Sequence, residues 1–374
     1  MPEWLIWLSG VLLFVVILSV TVAVHEAGHM IAAKRLGLEV PEFSIGFGKK
    51  IYSRTGKKTT YNVRSLPFGG FVIIEDKTQP EGSFERSSLG HVAPWRRQII
   101  FAAGATTNIV IGSILLVVAL MSFPYNVGST VVSSVQSCAD GPCGSLEAGL
   151  LAGDKIISIN GTNVSNLSEI NAAKKGQNEI NLVVERNGEQ RLLPNVQLTK
   201  DTYLMGITVG TKEAWRTFPD AVSLIGATIS QNVQSIINLP SKVVPVAESI
   251  FTGHRPADSP GSVVSMGKKY GDIAVAPEGQ TGNKLYVYLM YTALLNLGIG
   301  LLNLIPIGVL DGGKMLVAFM DSCKKLFSKI SNRVYRPTGK KFYLALTAVS
   351  AVAIFGFMGL LILSDFSLIF RGNL

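Results

Sequence analysis

Charge is scarce in this chain. Only 16% of its 374 residues are Asp, Glu, Lys or Arg, against about 25% in soluble globular domains. With 48% hydrophobic residues, the deficit excludes an intrinsically disordered chain and a nucleic-acid-binding tail, and argues against a wholly soluble fold. Histidine is scarcer still: four residues, two of them in one short motif. Cysteine occurs three times. Cys138 and Cys143 lie in one Cys-Ala-Asp-Gly-Pro-Cys segment, where a local disulfide competes with two reduced thiols. No second Cys or His pair accompanies them to complete a zinc site, and Cys323 reads as a free thiol.

The missing charges leave four long gaps. A bilayer-spanning helix needs about 20 apolar residues. Residues 4–24, 98–125, 285–310 and 342–364 each lack charge for about that length, and the first pattern runs on helically past His25. They predict four transmembrane helices, at about 4–33, 98–121, 285–310 and 342–364. A cleaved signal peptide does not account for the first. No basic segment precedes its apolar run, which ends in a helical motif rather than a small-residue cleavage site.

The net charge of +9 resolves by position. Residues 34–97 hold 12 basic and 6 acidic residues, and residues 314–341 hold 8 basic and 1 acidic. Residues 122–284 hold 13 and 14. Four spans put the two basic segments on one side, and positive loops stay in the cytoplasm. The long middle segment and both termini are then extracytoplasmic. This orientation rests mainly on the second basic loop.

Within the middle segment, residues 131–199 look like a small soluble domain. Asn160-Gly161 and Asn187-Gly188 are hairpin turn signals after short strands. Residues 215–240 place Val222, Ile225, Ile229, Val233 and Ile236 on a stripe among five polar residues. That pattern predicts an amphipathic helix on the membrane or on the soluble domain rather than a fifth span. Residues 254–282, rich in Gly, Pro and Ser, read as a loop.

His25-Glu26-Ala27-Gly28-His29 stands where the first apolar run ends. Residues four apart share a helical face, so both imidazoles reach one metal and Glu26 can act on water beside it. Two His and one Glu at bilayer depth are costly and mark a functional site by default; the alternative is a hydrogen-bonded cluster joining helices. Zinc wants a third protein ligand. Ala32 and Arg35 fill the last two places of the extended zincin pattern, and Glu39 and Glu42 lie beyond the basic end of the span. Asp311 is the better candidate. It follows Asn303-Leu-Ile-Pro306-Ile-Gly308-Val-Leu310 and precedes Gly312-Gly313; Pro306 and the glycines, Gly312 included, break the helix and let the carboxylate turn inward. Spans one and three run in the same direction, which brings Asp311 to the depth of His25 and His29.

With these motifs the chain resembles the site-2 protease family, the zinc intramembrane metalloproteases. Its layout is similar to the bacterial regulator-of-sigma-E protease branch with a single PDZ domain. The segment Ala-Gly149-Leu-Leu-Ala-Gly153-Asp154-Lys-Ile-Ile-Ser-Ile-Asn160-Gly161 resembles a PDZ domain. The resemblance implies a polytopic α-helical membrane protein of four transmembrane helices, with a membrane-associated β-hairpin and an inserted extracytoplasmic PDZ domain (α+β). Its parts would be residues 1–121 and 285–374 as two halves of a protease core, 125–205 as the PDZ domain, and 212–284 as amphipathic helix and loop; residues 40–90 form a β-rich cytoplasmic loop. It implies one Zn2+ per chain on His25, His29 and Asp311, with Glu26 catalytic. It assigns substrate contacts to Asn303, Asn108, Phe68, Gly69 and Gly70, the last three in Pro67-Phe68-Gly69-Gly70-Phe71-Val72 of the hairpin. The expected substrates are pre-trimmed transmembrane-helix proteins, anti-sigma factors or signal-peptide remnants. The PDZ domain would hold peptide tails. The setting would be the lipid bilayer of a bacterial cell (inner) membrane, crossed several times, with the active site toward the cytoplasm. Gly308, Ala105 and Lys314 depart from the family pattern, which usually has Pro, Pro and His there. A silent scaffold and an ion transporter are weaker readings: the motif is intact, and apart from Glu26 the span cores hold no acid. Nucleic acid is not an expected partner.

Overall fold

The computed structural model describes residues 2–78, 80–81, 89–90, 92–135, 144–198, 207–256, 259–276 and 283–371. Cys138 and Cys143 lie outside the described residues. The chain divides into two compact units: Met1–Leu120 with Phe218–Leu374, and Met121–Thr217.

Among the described residues, the larger unit is built on four helices long and apolar enough to cross a membrane: α1 (Glu3–Arg35), α2 (Pro94–Ser122), α8 (Lys284–Leu302) and α10 (Lys340–Phe370). Between α1 and α2 comes a hairpin of β1 (Glu39–Thr55) and β2 (Thr60–Glu75). Residues 42–45 of β1 are paired on both sides, with residues 70–73 on one and 60–63 on the other. Ala33, Val40, Leu89, Val92 and Ile100 form the apolar cluster that holds the hairpin base to α1 and α2. A second cluster joins Leu116 and Leu120 of α2 to Ala293 and Leu297 of α8 and to Ala221 of α5 (Phe218–Ile237). The apolar stripe predicted from 215–240 therefore belongs to a helix, and Ile225 and Ile229 pack on that cluster.

Two expectations change here. Residues 254–282 are not a loop throughout. After α6 (Val243–Thr252), α7 (Val263–Val275) is a helix whose N-cap Ser262 accepts from Val264 N–H. Its glycines act in packing rather than as breakers. A Cβ at Gly10 of α1 would strike the backbone of Gly271, and one at Gly267 would meet Val11. Small residues let two helices approach this closely. The third apolar helix is also shorter than 285–310. It ends at Leu302, residues 303–310 run irregularly, and α9 (Asp311–Ile330) runs on into what reads as a basic loop. Pro306 in the irregular stretch has no N–H to offer a helix.

Among the described residues, the smaller unit is a six-stranded sheet with two short helices. Its order is β7 (Glu189–Gln197), β6 (Glu179–Arg186), β4 (Lys155–Ile159), β3 (Tyr125–Val135) and β8 (Ile207–Ala214), with β5 (Thr162–Asn163) paired to β4. Asn160-Gly161 and Asn187-Gly188 turn at positive φ. The helices are α3 (Gly144–Glu147) and α4 (Leu167–Lys174); Asn166 caps α4 by accepting from Glu169 N–H. Alternate residues of β6 (Ile180, Leu182, Val184) meet Ile156, Ile159 and Ile170 in a dry core. The segment between two of these strands ends at Asp154, 1% exposed, whose carboxylate accepts Arg186 Nε–H at 2.6 Å and Nη2–H at 2.6 Å. The Arg186 guanidinium holds this carboxyl below the usual range.

Candidate metal centre

One helical turn separates His25 from His29, so α1 turns both rings to the same side, centroids 4.8 Å apart. Each residue is 6% exposed. Gly104 of α2 packs against them: a Cβ there would touch Nε2 of His29 and of His25. Only a glycine lets α2 pass so near both nitrogens.

Asp311 arrives from the far end of the chain. It is the first residue of α9, where the helix N-terminus favours a carboxylate. A tight reversal puts it there. Gly312 N–H donates to the Asn303 carbonyl at 2.7 Å, and a Cβ at Gly312 or Gly313 would fall on the carbonyl oxygens of Ile305 or Ile307. The two glycines, helix breakers by composition, thus allow this close reversal. Asp311 Oδ2 lies 2.9 Å from Nε2 of His25 and 2.9 Å from Nε2 of His29, and those nitrogens lie 3.2 Å apart.

The outer sides of both rings have partners. His29 Nδ1 is 2.7 Å from the Ile100 carbonyl, so Nδ1 carries the proton and Nε2 turns its lone pair inward. His25 Nδ1 is 3.3 Å from the side-chain amide of Asn108. That amide has a buried oxygen, Oδ1, with no partner. Turned so that Oδ1 faces His25, it accepts the Nδ1 proton and sets the same tautomer. Three ligand atoms then converge from two rings and a carboxylate, all within 4.8 Å of one another. Ligands about 2.0–2.1 Å from a tetrahedral Zn2+ would sit about 3.3 Å apart. The observed spacings of 2.9–3.2 Å fit that ion.

A family model, peptidase family M50, matches residues 13–346. The chain belongs to peptidase family M50. This is the site-2 protease family that its motifs resemble. Zinc metalloprotease Rip1 of Mycobacterium tuberculosis is 28% identical over 403 residues, covering 96% of this chain and 98% of Rip1. Rip1 of Mycobacterium bovis matches with the same identity and coverage. A Fusobacterium nucleatum protein provisionally named a zinc metalloprotease is 28% identical over 319 residues, covering 83% and 88%. The M50 protein is a zinc metalloprotease of the membrane, and zinc is its cofactor.

A cavity of about 550 Å³ opens beside the three convergent side chains. Glu26, Gly69, Gly70 and Asn303 line it together with His25, His29 and Asp311. Gly70 stands close to the acid: a Cβ there would lie 3.4 Å from Glu26 Cγ. Ser19 Oγ donates to the Pro67 carbonyl at 2.8 Å, fixing the middle of β2 to α1. Phe68 lies in β2 beside these glycines. Asn303 closes α8 and donates to the Ile299 carbonyl at 3.0 Å. Asn108 does not line the cavity; it is fully buried against His25. Glu39 and Glu42, set aside as ligands, pair elsewhere, Glu39 with Lys77 and Glu42 with Arg64.

The sequence reading missed the Ile100 carbonyl, Gly104 and Lys314 as parts of the site. A backbone oxygen carries no sequence signal. The Gly104 requirement becomes visible only once α2 is set against α1. Lys314 stood out only as a departure from the family pattern. Its Nζ lies 3.0 Å from Asp311 Oδ1.

Proposed function

We propose that the M50 chain is an intramembrane endopeptidase whose zinc is held by His25, His29 and Asp311 and whose general base is Glu26. The observation that carries this reading is the convergence of three buried ligand atoms in a cavity that Glu26 also lines. Zinc held there would supply Lewis-acid chemistry, polarising the scissile carbonyl and making a water more acidic, with a pKa of about 7. Glu26 accepts the proton of the attacking water on its carboxylate and returns it to the leaving nitrogen. His29 and His25 keep their Nδ1 protons on the Ile100 carbonyl and on Asn108 throughout.

A peptide bond in a helix is shielded by its own hydrogen bonds, so the substrate is unwound before it is cut. Residues 70–73 support this, because among the described residues they pair on one side only. An extended substrate segment adds to the other edge as a further strand, with Gly69 and Gly70 permitting close approach and Asn303 offering its side chain to the freed backbone. Substrates are single transmembrane helices of proteins already trimmed outside the membrane. Anti-sigma factors and signal-peptide remnants are the classes the family resemblance suggests. The smaller unit is read as a PDZ domain that holds peptide tails; its hairpin turns and Leu150–Gly161 pattern support this. The charge distribution supports placing that unit and both termini outside the cytoplasm, with the metal centre toward the cytoplasmic side of a bacterial inner membrane.

The test is Glu26→Gln in the purified full chain. Zinc content should stay at one per chain, while cleavage of a single-span model substrate falls about 10²–10⁴-fold. Cleavage at the native rate would end the reading of Glu26 as the base.

A further inference from the structure

Asp311 has two carboxylate oxygens, and they face different groups. Oδ2 lies 2.9 Å from both histidine Nε2 atoms. Oδ1 accepts from the Lys314 ammonium at 3.0 Å. The two residues are three apart in the first turn of α9, where helix geometry stacks their side chains on one face. The Lys314 Nζ also stands 5.6 Å from the centre of the Phe101 ring, an apolar wall that limits its freedom. Lys314 lines the same cavity as Glu26.

A free carboxylate can bind a metal through one oxygen or through two. A catalytic zinc site keeps one position open for water, and a second carboxylate oxygen would fill it. From this geometry we infer that Lys314 is a positioning residue. It holds Oδ1 away so that Asp311 offers the metal Oδ2 alone. The ammonium does not touch the reacting atoms; it acts through Asp311, as outer partners of metal ligands do. This inference rests on Asp311 being a zinc ligand.

The experiment uses the full chain in detergent, with zinc affinity from chelator competition and the visible spectrum of the cobalt(II)-substituted protein. Lys314→Met should weaken zinc about 10–100-fold, the range for lost outer partners. Its cobalt spectrum should lose intensity as a further carboxylate oxygen enters. Lys314→Arg, which keeps cation and donor, should restore both. If the Met variant does not fold, judged by melting of the metal-free protein, Lys314→Gln is measured in its place. Native affinity with a native cobalt spectrum in the neutral variant would overturn the inference. So would an Arg variant as impaired as the neutral one. Asp311→Asn separates the two levels: if it binds zinc like the native chain, Asp311 is not a ligand and the underlying reading fails. If it binds weakly while the neutral Lys314 variant binds normally, only the role of Lys314 fails.

Discussion

Asp154 and Asp311 are both buried aspartates, 1% and 5% exposed, one in each unit. Asp154 faces one guanidinium, and both its oxygens accept from it. Its neighbour Leu151 N–H adds a third bond at 2.9 Å. Donors and acceptors match, and the charge is closed. Asp311 instead turns one oxygen toward two imidazole nitrogens whose outer partners aim lone pairs at the same point. Three acceptors converge where no proton satisfies them all. A closed cluster holds a fold together; an open one calls for a cation. The difference is visible in hydrogen-bond direction, not in burial.

Exchanging the two lesions tests that contrast most severely. Asp311→Ala should strip zinc to a small fraction of one per chain and abolish proteolysis, a fall of more than about 10³-fold, while leaving the smaller unit intact. Asp154→Ala should leave zinc content native. It should destabilise the smaller unit, because Arg186 and the Leu151 N–H lose their shared acceptor. Metal analysis and amide hydrogen exchange on β4 and β6 report the two outcomes. Full zinc occupancy in Asp311→Ala would dissolve the comparison.

A smaller lesion acts on geometry alone. Gly104→Ala adds one methyl group that meets Nε2 of both histidines. The rings must rotate or α2 must retreat, and displacements of that order cost about 10²-fold in rate. Zinc affinity should fall with it. A Gly104→Ala protein with native turnover would show that the helices yield freely there.

How much of this was legible in the residues follows from where each signal lies. His25 and His29 declare themselves by a four-residue spacing on an apolar helix, and Asp311 by being an acid at the edge of an apolar run. Their meeting across 286 positions follows from counting spans. Helix α7 was not legible. Gly267 and Gly271 weigh against a helix in isolation, yet against Gly10 and Val11 of α1 they are what permits contact. The same ambiguity affected Asn108. A polar residue in an apolar span signals function, but whether it faces substrate or steadies His25 depends on rotation about the helix axis. The end of α8 at Leu302 was blurred because residues 303–310 remain as apolar as the helix before them.

Acid separates the two aspartates differently. Arg186 lowers the Asp154 carboxyl in the folded state, and a free Asp titrates at about 3.9. A depressed folded value means stability that is complete above the unfolded value and lost as pH falls through the folded one. The smaller unit should therefore hold its hydrogen-exchange protection down to about pH 5 and lose part of it below about pH 4. In Asp154→Asn this part of the acid response should vanish. An acid response unchanged by the substitution would assign the loss to other groups.

The smallest expected effect lies one residue along the same strands. Lys155 and Glu185 are register partners in β4 and β6, next to Asp154 and Arg186, with Nζ and Oε2 3.6 Å apart. Their side chains are 52% and 40% exposed, against 1% for Asp154. Water screens this pair, and ordering two long side chains offsets its attraction, so exposed pairs contribute about 0–1 kcal/mol. Glu185→Gln should shift the stability of the smaller unit by less than about 0.5 kcal/mol, and 1 M salt should erase the shift. Both pairs join opposite charges, at 2.6 Å for Asp154 and 3.6 Å for Lys155. A loss at Glu185 comparable to that at Asp154 would mean that strand register, not burial, sets the strength of these charges.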